Sequence, residues 1–160
     1  MNKQLLQAKI IQTLEKAQQG ATKAALQAHA TATNKECVAE NKYDTFGLEA
    51  SYLAHGQAKR VAEYDAALLA YKSLGVISFN EESEIELGSL VQLEDEECAT
   101  QCLFLGPSAG GLKFEYEDKE ITLITTSSPL GEALIGRCIG DEVEMKLAGK
   151  NRLYEIVAIY

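Results

Sequence analysis

The chain has 160 residues, 46% hydrophobic and 24% charged, with 12 Gly and 2 Pro, which excludes intrinsic disorder and collagen-like repeats. Its formal net charge of −9 makes it a poor nonspecific nucleic-acid binder, because phosphate neutralisation drives that mode; work near nucleic acid would need a partner protein. The longest purely apolar run, residues 66–71, falls far short of the roughly 20 residues of a membrane span. Residues 1–7 lack the continuous apolar stretch of a secretory signal. Four cysteines, at 37, 98, 102 and 138, have no metal-ligand spacing and are too sparse for a disulfide scaffold, so a cytoplasmic protein with free thiols is expected.

The charge is unevenly spread. Residues 1–75 carry 9 basic and 7 acidic side chains, a net of +2, whereas residues 76–160 carry 6 and 17, a net of −11. The first half has no Pro and is rich in Ala, Gln, Lys, Leu and Glu, all good helix formers. Positions 11, 14, 18, 21, 25, 28 and 32 step by three and four, the heptad rhythm of a coiled-coil seam. Ala54, Gln57, Val61, Tyr64, Leu68 and Tyr71 repeat it. Turn formers between Asn34 and Gly47 separate the two segments. The pattern predicts two antiparallel helices over residues 1–75, joined at a tip near 40–47, in preference to a dimerising coiled coil. A first helix over roughly 3–37 would be about 50 Å long and would protrude beyond a small domain.

In the second half the period changes. Short alternation at 84–87 and 90–93 is followed by the apolar run 102–105, which ends at Gly106-Pro107. Residues 114–116 and 121–124 alternate again, and the chain closes on a hairpin of 142–147 and 153–159 around a turn at 148–151. One short helix interrupts: Ser128 suits the N-cap, Pro129 the first helical position, and Gly136 the end. The glycine-rich stretch 106–111 reads as a hairpin connection rather than a phosphate loop. Residues 76–160 are therefore expected to form an α+β domain, an antiparallel sheet curled on one short helix.

These residues carry a family resemblance. The run Ser127-Ser128-Pro129-Leu130-Gly131-Glu132-Ala133-Leu134-Ile135-Gly136-Arg137, then Gly140-Asp141-Glu142-Val143-Glu144 and Tyr154-Glu155-Ile156, resembles the C-terminal domain of Gre factors, the bacterial transcript-cleavage factors. The resemblance extends upstream through residues 88–91 and 105–107. Over 1–75 it rests on form, a coiled-coil hairpin preceding an FKBP-like domain. It implies a monomeric, non-enzymatic transcription elongation factor whose partner is RNA polymerase, docked at the secondary channel partly through Ser128, Pro129, Leu130 and Gly131. Contact with nascent RNA would be indirect, within the elongation complex. It also implies that tip acids help hold a Mg²⁺ shared with the polymerase active site, which itself cuts backtracked RNA. Hard oxygen ligands suit that ion.

The tip departs from the family pattern, in which Asp and Glu stand three residues apart and Asn follows the Glu. Here Asp44 and Glu49 are five apart, and Glu40 and Asp44 four apart. Asp44 and Glu49 are the candidate catalytic and metal-holding pair, with Glu40 third; ordinary solvated acids at a turn are the competing reading. A hairpin of this build that does not chelate would instead antagonise cleavage factors or modulate initiation. Peptidyl-prolyl isomerase chemistry ranks lower, since it needs an aromatic-lined pocket from Phe79, Phe104, Phe114, Tyr116, Tyr154 and Tyr160, and fold does not confer function. A chaperone-like hairpin has no positive support. His29 and His55 read as separate surface or seam residues, with no second ligand near either.

Overall fold

The computed structural model describes residues 2–33, 46–75, 83–147 and 150–160. Two long helices come first, α1 (Lys3–Thr33) and α2 (Phe46–Ser73). The seam follows the heptad rhythm: Leu14, Ala21 and Ala28 are buried on α1, with Gln18, Ala25 and Ala32 half-buried between them. On α2, Ala50, Ala67 and Tyr71 are buried and Ala54, Gln57, Val61, Tyr64 and Leu68 half-buried. One expected position moves: Ile10 is fully buried and Ile11 half-buried. In the first turns the buried stripe runs Leu6, Ile10, Leu14 in steps of four, and Leu6 lines a small cavity together with Phe104.

Six strands follow: β1 (Leu90–Asp95), β2 (Thr100–Gly106), β3 (Lys113–Tyr116), β4 (Lys119–Thr125), β5 (Glu142–Leu147) and β6 (Lys150–Ile159), with α3 (Pro129–Leu134) between β4 and β5. They form one sheet in the order β3-β4-β2-β1-β6-β5. Four pairings are antiparallel, but β2 and β4 run parallel, with Phe104 opposite Leu123. The stretch 106–111 is consequently not a hairpin connection. It crosses from β2 to the edge strand β3, held to β4 by Gly111 N–H to the Leu123 carbonyl and Leu123 N–H to the Leu112 carbonyl, both 2.8 Å. The tight hairpin comes next, at Glu117 and Asp118, whose φ values of 49° and 60° are those of a two-residue mirror-image turn.

The alternation at 84–87 does not become a ladder strand. Ile85 is buried and exchanges backbone bonds with Arg137 and Gly136 at 2.8 and 2.9 Å, and the chain then turns at Leu87-Gly88. β6 starts at Lys150, opposite Leu147 of β5 and three residues before its expected beginning; residues 148 and 149 of the expected turn lie outside the described residues.

From Cys102 to Gly106 every residue of β2 is buried, the mark of a strand covered on both faces. On one face Leu103 and Leu105 join Val91, Leu93, Ile156 and Leu134 of α3 in the main core. On the other, the Tyr71 ring lies 6.3 Å from that of Phe104, and its hydroxyl donates to the Ser108 carbonyl at 3.0 Å. Gly106 leaves the room for this phenol, since a Cβ there would overlap it. The Gln7 amide donates to the Tyr71 and Leu74 carbonyls at 2.8 and 2.7 Å, satisfying acceptors that the end of α2 leaves open. These contacts belong to one compact unit, Met1–Ile11 with Ala70–Tyr160; Gln12–Leu69 forms the second.

Candidate docking loop and hairpin end

The four docking candidates converge at the start of α3, each in a different physical role. Ser128 is the N-cap: its hydroxyl donates to the Thr125 carbonyl at 2.7 Å and accepts the Gly131 N–H at 3.0 Å. Pro129 occupies the first turn, where a missing N–H costs nothing, and its ring is exposed. Leu130 packs half-buried against the core. Gly131 is buried, and a Cβ there would overlap the Thr125 carbonyl oxygen. Gly136, at φ 74°, ends the segment. Ser128 and Gly131 thus fix the loop, and Pro129 presents it.

Just after α3 the structure adds two exposed residues that the motif did not single out. Ile135 and Ile139 are 45% and 37% exposed. An apolar residue at the end of a short helix reads as core from sequence. The C-cap conformation of Ile135, φ −55° and ψ 132°, turns it outward instead.

At the hairpin end, Glu40 and Asp44 lie outside the described residues. Glu49 sits in the first turn of α2, exposed, where the helix dipole favours an acid. It lines a groove of about 410 Å³ with Gln27 and Thr31 of α1 and Leu53 and Gln57 of α2. Tyr52 and Leu53 beside it are 70% and 57% exposed. Among the described residues no group of three His, Cys, Asp or Glu could hold a metal ion.

His29 and His55, expected as surface or seam residues, are both exposed, and they line one common groove. Cys98 lies exposed between β1 and β2 with φ 60°, while Cys102 is buried in β2, where desolvation pushes its thiol up against an opposing pull from Lys119. Of the aromatics offered for an isomerase pocket, Phe104, Phe114 and Tyr154 are all buried. Phe104 faces Tyr71 and Tyr154 sits in the main core, on opposite faces of the sheet.

Residues 80–160, which hold the whole sheet and the loop at Ser128, match the family model described as transcription elongation factor, GreA/GreB, C-terminal domain. The chain belongs to the GreA/GreB family. It is 31% identical over 125 residues to the transcription elongation factor GreA of Syntrophus aciditrophicus (strain SB), an alignment covering 77% of this chain and 71% of that protein. It is 32% identical over 102 residues to the GreA of Thioalkalivibrio sulfidiphilus (strain HL-EbGR7), covering 62% of this chain and 60% of that protein. Among solved structures, the GreA factor homolog 1 (Gfh1) of Thermus thermophilus aligns over 96% of this chain and 92% of its own, at 20% identity and a TM-score of 0.40. The GreA/GreB match leaves residues 1–79 outside its span, but the Syntrophus alignment is longer than residues 80–160 and so extends into the hairpin. No described helix is long and apolar enough to cross a membrane.

Proposed function

We propose that this protein binds RNA polymerase at its secondary channel and stimulates cleavage of backtracked RNA by the polymerase's own active site. The observation that carries the reading is Glu49, an exposed carboxylate in the first turn of α2, at the end of a helical pair in a chain of the GreA/GreB family. A carboxylate there suits Mg²⁺, a hard cation that takes oxygen ligands; Glu49 and, from the undescribed tip, Asp44 would hold it. When bound, that ion would stabilise the attacking and leaving oxygens of the cleavage reaction. The chain acts without catalysing alone, as a monomer, and meets RNA only inside the polymerase complex.

The rigid start of α3 supports the docking half of the proposal. Pro129 offers an exposed apolar surface on backbone that Ser128 and Gly131 hold in place, and Ile135 and Ile139 add exposed apolar side chains after the helix. Such a surface keeps its shape before binding, so little ordering cost opposes association.

The test uses a stalled, backtracked complex with 3′-labelled RNA. Wild-type protein is expected to release short 3′ fragments, and Asp44→Ala or Glu49→Ala to slow release by about 100-fold, the scale of a lost metal-holding or charge-stabilising group. Absence of release, with slower cleavage by an authentic GreA added in competition, would instead identify a channel-occupying antagonist. Absence of both effects would end the polymerase reading.

A further inference from the structure

The chain contains only 2 histidines, and the helix pair brings them to one place. The Gln18 amide donates to the Asp65 carboxylate at 3.2 Å, which sets the antiparallel register of α1 and α2. Eleven residues onward from Gln18 stands His29, and ten residues back from Asp65 stands His55. At 1.5 Å per residue the two lie within about 2 Å of the same level along the pair. Both are exposed, and both line one groove of about 610 Å³. Among the described residues its lining contains no carboxylate and no ammonium, and alanines 25, 32, 54 and 58 form much of its wall. The imidazoles are therefore the strongest electron-pair donors among the described residues that line it.

We propose that His29 and His55 form a two-histidine site, one ligand from each helix, for a borderline divalent transition-metal ion such as Zn²⁺, Ni²⁺ or Cu²⁺. Imidazole nitrogen suits these ions, and water fills the remaining positions. Mg²⁺, which demands oxygen ligands, is not a competitor here. The site differs in chemistry from the tip acids, and Glu49 lines a different groove. An ion held by both rings ties α1 to α2 across the alanine seam and stabilises the folded hairpin by an amount that grows with the logarithm of free metal concentration above the dissociation constant.

The experiment uses the full chain with its thiols kept reduced, titrated with Ni²⁺ while the imidazole C2–H proton resonances are followed. Two histidines give two signals, and the expected result is that both broaden in parallel at the same low metal concentration. His29→Gln and His55→Gln keep a good helix former at each position, and circular dichroism establishes that they stay folded. Each is expected to raise the Ni²⁺ concentration needed to broaden the remaining signal by about tenfold or more. Zn²⁺ is expected to raise the thermal midpoint of the wild type and of neither variant. Signals that respond at different concentrations, or variants that bind as tightly as the wild type because thiols hold the metal, would overturn the proposal.

Discussion

Between Gln12 and Leu69 the two helices bury alanines, Ala21, Ala28, Ala50 and Ala67, with Leu14 as the one large fully buried side chain among the described residues of that stretch. In the sheet unit, Leu93, Leu105, Ile121, Leu123, Leu134 and Ile156 are at most marginally exposed, and strand ladders cross-link them. A methyl group removes little area from water, whereas full burial of a Leu or Ile side chain stabilises by about 1.5–3 kcal/mol. Many sequences satisfy a small-residue heptad; few satisfy a mixed sheet with a parallel pair, a crossover and a glycine under a carbonyl. The sheet unit therefore constrains its sequence more tightly than the alanine seam does.

The sharpest way to break the comparison is at Tyr71, the helix residue that is anchored like a core residue. Its side chain is fully buried, packs on Phe104 and bonds the Ser108 carbonyl. Tyr71→Ala is expected to lower unfolding free energy by about 3–5 kcal/mol, as aromatic truncations in packed cores do. Ala28→Gly on the seam should cost only about 1 kcal/mol, mostly helix propensity. Urea unfolding followed by circular dichroism measures both, and equal losses would show that the seam is as tightly determined as the sheet unit.

A smaller effect tests the docking loop. Gly131→Ala forces a methyl against the Thr125 carbonyl oxygen, which is backbone and cannot rotate away, so a loss of about 1–3 kcal/mol is expected. Ser128→Ala removes the cap and should cost about 1 kcal/mol. Pro129→Glu touches no buried atom and should leave the thermal midpoint unchanged while weakening polymerase binding. A Pro129→Glu protein that binds normally would separate the rigidity of this loop from the docking assigned to it.

Much of this architecture is legible in the sequence because it is written locally. Heptad steps give the helix faces, and Ser128, Pro129 and Gly136 give α3 its start and end, since caps act within a few residues. The parallel β2–β4 pair was not legible, because 106–111 carries turn chemistry whether it joins neighbours or crosses past one strand. The exposure of Ile135 was not legible either, since it goes with the backbone angles at the helix end. The meeting of His29 and His55 needs the interhelical register, which a seam spaced every three or four residues does not fix by itself. Asp44 and Glu40 lie outside the described residues, so for the tip acids the sequence reading still stands alone beside Glu49.

The smallest expected effect lies in the ammonium of Lys3, in the part of α1 that belongs to the sheet unit. Burial lowers its pKa from 10.5 to about 8, with Glu86 pulling the other way. The folded chain therefore releases this proton near pH 8, while the unfolded chain holds it to about pH 10.4. Across that window the unfolded state binds more protons, so stability rises with pH; below pH 8 the full penalty of the charge is present in the folded state. Burial also pushes the Tyr71 phenol up, so the folded chain resists its ionisation and stability falls again above about pH 10. Lys3 is only half-buried, and solvent screening holds the rise to less than about 1 kcal/mol. Urea midpoints taken from about pH 7.5 to about pH 9.5 should climb slightly in the wild type and stay level in Lys3→Met. A climb of equal size in both proteins would place the titrating group elsewhere and leave the base of α1 packed on the sheet through Leu6, Gln7 and Tyr71 without a cost from buried charge.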